Sequence, residues 1–233
     1  MSKAAEKVRC RLADAADPAR APQMQSYMRS TMPFRGVAAA PVRHITREVF
    51  DEHRFADRSA WCSAVLDLWD SAEYREERYA AIALTGHRYY RGFQDESTLD
   101  LYLHLVTTGA WWDYVDVISS NRVGPILHAN FDSVARTVRL WAVAEAMWVR
   151  RTAILCQLKS KADTDLALMR YTIEQNVEGS RFGTDFFIRK AIGWALREHV
   201  KTDESWVVDF VDEHRRTLSG LSRREALKNV ATR

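Results

Sequence analysis

Residues 111–118, Trp-Trp-Asp-Tyr-Val-Asp-Val-Ile, carry the pairing best suited to chemistry: Trp112 and Asp116, four residues apart. In a helix that spacing stacks an indole and a carboxylate on one face, one turn apart. The ring face attracts positive charge and the carboxylate stabilises it, so the pair suits a substrate that is cationic or becomes so during reaction. The same octet also fits a Trp packed into a helical core, with Asp116 a surface residue or a cap.

The elements that would hold such a pair are helices. Gly (9) and Pro (5) are scarce, and alternating strand patterns with hairpin turns are absent. Amphipathic periodicity predicts helices near 24–31, 41–54, 59–71, 73–86, 97–107, 112–119, 132–141, 144–158, 164–175, 184–200 and 203–214. Expected starts are Ser59 before Trp61, Ser97 before Leu99, Asp132 before Val134, and Asp203-Glu204 before Trp206. Pro33, Pro41 and Pro125 fall at breaks or first turns.

A repeat runs through these helices. Ala81-Ile82, Val117-Ile118, Ala153-Ile154 and Ala191-Ile192 recur at intervals of 36, 36 and 38 residues. A period in this range, with two helices per unit, marks an α-solenoid of HEAT-like helical repeats, whose stacked pairs leave one concave face for a long ligand. Registered on the Ile, Trp112, Trp148, Glu76 and Phe186 lie six residues before it, Asp116 two before and Trp194 two after. Those offsets differ by four and so lie along one stripe, which Arg151, three before its Ile, borders. Taken singly, each Trp remains equally readable as core.

The chain has 233 residues, enough for one large domain or two small ones. It is read as a single domain, 1–233, with 1–20 an N-terminal helical segment and 212–233 a C-terminal basic one. Hydrophobic content of 47% and charged content of 28% describe a globular protein. No apolar run approaches a membrane span, and residues 1–11 lack the apolar centre of a signal peptide, so a cytoplasmic location is expected, with no membrane partner. Cys10, Cys62 and Cys156 are odd in number and far apart, and the seven His are scattered, which argues against disulfides and against a metal site. No phosphate-cradling Gly loop and no Ser or Cys nucleophile motif stands out, and no cofactor is expected.

Net charge of +3 says little, but Arg136, Arg139, Arg150, Arg151, Arg170, Arg181, Arg189 and Lys190 crowd the second half. Arg215, Arg216, Arg223, Arg224, Lys228 and Arg233 follow. A basic face could hold a phosphate backbone, while the 31 acids equally allow ordinary solvated helix faces.

Four segments, in order and at matching spacing, resemble the AlkD-like DNA glycosylases, the HEAT-like-repeat alkylpurine glycosylases of base excision repair. They are Tyr27-Met28-Arg29 running into Met32-Pro33-Phe34-Arg35-Gly36-Val37; Trp111 to Asp116; Trp148 to Leu155; and Phe186 to Glu198. Together they span 27–198. The resemblance implies release of cationic N3- and N7-alkylated purines from duplex DNA without classical base flipping. The register of Lys190, away from Asp116, predicts a monofunctional enzyme, and a solenoid that grips DNA is expected to be a monomer. The resemblance also implies Asp116 as catalytic carboxylate and Trp112 and Trp194 as aromatic walls beside the lesion nucleotide. Tyr27, Arg151, Phe186, Phe187, Arg189 and Lys190 would contact the DNA or the damaged region. A HEAT-like protein-binding scaffold and a non-catalytic damage-binding paralogue are the alternatives. The first has no reason to align Asp116 with two Trp and an Arg, and the second would typically lose Asp116 or its Trp partners.

Overall fold

The computed structural model describes residues 2–230; Met1 and residues 231–233, among them Arg233 of the basic tail, lie outside them. Among the described residues every regular element is a helix, so the fold is all-α. The chain divides into two compact units, Met1–Phe93 and Gln94–Arg233.

The first unit runs α1 (Lys3–Asp14), α2 (Ala21–Met28), α3 (Ala39–Glu52), α4 (Arg58–Asp70) and α5 (Arg75–Thr85), then a 3₁₀ segment, Arg88–Phe93. Helix α3 packs on α1 and α5, and α4 on α5. Leu12, Val49, Phe50, Trp61, Leu68, Trp69 and Leu84 are fully buried between them. Helix α2 starts earlier than the expected 24–31 because Pro22 is pre-set for a first turn, and it stops when Arg29 turns left-handed.

The second unit runs α6 (Leu99–Gly109), α7 (Trp112–Ile118), a π-turn (Ser119–Val123), α8 (Gly124–Ala129), α9 (Phe131–Ala142), α10 (Met147–Leu155), α11 (Leu166–Glu174), α12 (Phe186–His199), α13 (Glu204–Glu213) and α14 (Gly220–Ala226). Helix α10 packs between α7 and α12, and α9 packs against both α10 and α11. Within this unit that is α-solenoid stacking. The register residues Ile118, Ile154 and Ile192 sit on α7, α10 and α12 with 0%, 3% and 1% exposure, so the sequence period is the period of this helix row.

Three expected starts are corrected. Asp57, not Ser59, caps α4 by accepting from the Ala60 amide. Asp95, not Ser97, caps a 3₁₀ turn (Glu96–Thr98) that leads into α6. Asn130 precedes α9 without a side-chain cap, and Asp132 lies in its first turn. In the first two the carboxylate two residues upstream reaches the free amides, which makes the hydroxyl redundant. Asp203 caps α13 as expected, accepting from the Trp206 amide. Helix α10 is shorter than the expected 144–158, and α8 and α14 are additional. Pro125 is in the first turn of α8.

Candidate active site

Helix α6 ends with Ala110 in the left-handed region, at φ 42°. Trp111 then takes an extended conformation and Trp112 opens α7, which places Asp116 one turn further along the same face. Past Asp116 the helix widens into the π-turn. The Ser119 and Ser120 hydroxyls donate back to the carbonyls of Val115 (2.6 Å) and Asp116 (2.8 Å), satisfying oxygens that the wider turn leaves short of partners.

Arg151 of α10 meets the carboxylate edge-on. Its Nε donates to Asp116 Oδ1 at 2.8 Å and its Nη2 to Oδ2 at 2.9 Å, while Nη1 donates to the Phe187 carbonyl at the start of α12. One guanidinium therefore joins α7, α10 and α12. Its side chain is 5% exposed and that of Asp116 is 14% exposed, so the pair is desolvated on one side and open on the other. Burial pushes the Asp116 pKa above its ordinary value; the Arg151 hydrogen bonds and charge pull it down, and Asp113 adds a smaller upward push. The result is a carboxylate whose charge is poorly solvated and held in one orientation, the condition for electrostatic preorganisation.

Aromatic rings gather at the N-terminal ends of the same helices. Trp148 and Phe187 lie 4.9 Å apart between ring centroids, with Trp111 at 5.5 Å from Phe187 and 6.0 Å from Trp148. Phe186 stands edge-on to Phe187 and remains 54% exposed. Trp112 is half-buried, and Trp194 is half-buried against the core beneath α12. Sequence reasoning missed the Trp111–Trp148–Phe187 cluster; three aromatic residues each opening or preceding a helix of one row is the signal that could have found it.

The remaining candidates are placed differently. Arg189 is half-buried, with Nε near the Asp185 carbonyl at 3.4 Å. Lys190 pairs with Glu225 of α14 at 2.9 Å, and Arg197 binds the same carboxylate. Tyr27 belongs to the first unit, at the end of α2, and is 76% exposed. Among the described residues no group of three or more His, Cys, Asp or Glu could hold a metal ion, and no helix is long and apolar enough to cross a membrane.

The model of the family described as DNA alkylation repair enzyme matches residues 8–230. The chain belongs to this family. Its role is therefore in DNA alkylation repair, and the four motif segments between 27 and 198 all fall inside the match. This DNA alkylation repair family member is also similar to a solved structure, "Predicted DNA alkylation repair enzyme from Enterococcus faecalis", with 28% sequence identity and a TM-score of 0.81. The likeness covers 94% of this chain and 98% of that one. No curated protein matches the chain.

Proposed function

We propose that this family member is a monofunctional DNA glycosylase that hydrolyses the N-glycosidic bond of cationic N3- and N7-alkylpurines in duplex DNA. The observation that carries the reading is the desolvated, two-point Arg151–Asp116 pair one helical turn from Trp112. In this reading residues 1–233 act as one domain and as a monomer, with the alkylated duplex along the helix row.

Alkylation at N7 or N3 makes the purine cationic and a good leaving group. The C1′–N bond breaks with its electron pair going to the base, which leaves neutral, while the sugar takes on oxocarbenium character. No general acid is needed at the base. Asp116 stabilises the cationic sugar and orients water toward C1′, and the proton lost by that water passes to the carboxylate or to solvent. A carboxylate offers about four lone-pair directions and Arg151 takes two, so the remaining lone pairs serve water and sugar. Trp112 and Trp194 flank the sugar and contribute ~1–2 kcal/mol each by cation–π contact. Phe186, Phe187, Arg189 and Lys190 contact the duplex beside the lesion, Tyr27 contacts duplex DNA from the first unit, and Arg151 supports the damaged region by holding Asp116. Lys190, held by Glu225, binds backbone rather than forming an imine, so the product is an abasic site.

Selectivity then follows from lesion charge and lability, not from a pocket closing on a flipped base. Bulky cationic adducts are accepted and hypoxanthine is a poor substrate; efficient hypoxanthine release would sink this account, and borohydride trapping of an enzyme–DNA adduct would overturn the monofunctional assignment. The deciding experiment is base release from a 7-methylguanine duplex by the native chain and by Asp116→Asn. Loss of about 3–4 kcal/mol of barrier stabilisation, several hundredfold in rate, is expected with DNA binding retained. No release by the native chain, with binding intact, would make it a damage-binding protein.

A further inference from the structure

Helix α2 lacks the apolar face that would hold it in place. Of its 8 residues only Met28 is buried, and a helix this short is marginal alone. Its place is set by polar ties on either side. Before it, Asp17 Oδ1 accepts from the amides of Ala19 (3.1 Å) and Arg20 (3.2 Å), and the Asp17 amide donates to the Arg35 carbonyl at 2.8 Å. After it, the chain turns at Arg29, φ 48°, and runs as a strap toward Val37.

Glu76 of α5 catches that strap. Fully buried, it accepts from the amides of Arg35 (3.0 Å), Gly36 (2.9 Å) and Val37 (3.1 Å). Its neighbours assist: the Arg75 amide donates to the Pro33 carbonyl at 2.9 Å, and Glu77 pairs with Arg9 at 3.2 Å and Arg35 at 3.1 Å. Gly36 has φ +84°, and a Cβ there would fall on the Asp17 carbonyl, so the two flanking segments also touch each other. A buried carboxylate is costly unless it is fully bonded, and three amides both compensate it and dictate where the strap goes. In the repeat register Glu76 occupies the position held by Trp112, Trp148 and Phe186 in later helices. One repeat thus carries a clamp where the others carry an aromatic ring.

We infer that Glu76 is a positioning residue for DNA binding: by gathering the amides of residues 35–37 it fixes α2 and the turn that ends it, where exposed Tyr27 and Arg29 grip the phosphate backbone. A tyrosyl hydroxyl and a guanidinium on a fixed edge suit backbone contacts, which set register rather than read sequence. The inference rests on the DNA-repair reading of the chain, but not on its being a glycosylase.

The test uses the full chain and measures affinity for unmodified and 7-methylguanine duplexes, together with the single-turnover rate at saturating enzyme. Glu76→Ala is expected to weaken both affinities about tenfold and to change the saturated rate less than about threefold. Glu76→Gln, which keeps one acceptor oxygen and leaves the buried site filled, is expected to retain folding and recover part of the loss. Amide exchange at residues 35–37 should quicken in both variants while α7, α10 and α12 keep their protection. Tyr27→Ala should weaken binding in the native chain and add little in either Glu76 background. Additive losses, or a fall in saturated rate at unchanged affinity, would overturn the proposal. Affinity for the unmodified duplex is read without base release, so failure of the glycosylase reading leaves this comparison standing.

Discussion

Arg150 and Arg151 are adjacent in sequence and turn their guanidinium groups to opposite tasks. Arg151 takes both oxygens of Asp116, whereas Arg150 donates to the carbonyls of Ala144 (2.6 Å), Val143 (3.1 Å) and Gln175 (3.4 Å) and lies over the Phe182 ring. Successive helical residues point about 100° apart, so one arginine faces the candidate site while its neighbour closes the loops behind it.

The two should separate in mutagenesis. Arg150→Met removes the donor from three part-buried carbonyls and is expected to lower stability by about 1–2 kcal/mol in urea unfolding, with base release per folded molecule unchanged within about twofold. Arg151→Met strands a desolvated carboxylate, with about 3–5 kcal/mol of stability lost and the reaction impaired as well. Equal effects of the two on the rate per folded molecule would remove Arg151 from the site.

Acid should switch the reaction off earlier than an ordinary aspartate would. Burial raises the Asp116 pKa above 3.8, so the working carboxylate forms only as pH climbs past that raised value, and base release rises with it. Arg151 is the chief downward influence, so Arg151→Met should move this limb to still higher pH. For stability the sign is reversed. The protonated form is the one favoured by folding, so the contribution of Asp116 is full below 3.8 and fades as pH rises through the raised value. Asp116→Asn should therefore flatten that part of the stability–pH curve, and parallel curves would contradict it.

Thiol chemistry should be confined to the surface. Cys156 is buried and its pKa is pushed up to about 12, so it should resist a thiol reagent at pH ~8 until the protein unfolds. Cys10, exposed on α1, should react at once. Rapid labelling of all three cysteines in the native chain would mean that the α10 end is open.

Gly124 marks a close approach. A Cβ there would fall on the Cys156 carbonyl, so Gly124→Ala should cost about 1–3 kcal/mol net of alanine's helix advantage of about 1 kcal/mol. Gly92, which has nothing within 4 Å of a built Cβ, is the control and should tolerate alanine. A lowered melting midpoint for the first variant alone is the expected outcome.

What the sequence made legible was periodic. Ile118, Ile154 and Ile192 announce α7, α10 and α12 because each must face the core at the same turn of its helix. The same register places Asp116 and Arg151 on neighbouring faces, and two hydrogen bonds now join them. What stayed hidden was contact at a distance. Nothing near Glu76 says that it will bind amides some 40 residues upstream. Nothing in Ser119–Val123 advertises a π-turn, because the serine hydroxyls that support it read equally well as ordinary helix surface. Cap choices such as Asp57 over Ser59 turn on which oxygen reaches a free amide, a matter of ångströms that residue type does not resolve.

Because the Arg151 guanidinium joins α7, α10 and α12 at once, it rivets this helix row as well as holding Asp116. A substitution at Arg151 therefore disturbs helix packing and the Asp116 carboxylate together, whereas Phe186, half-exposed beside that junction, can change without breaking it.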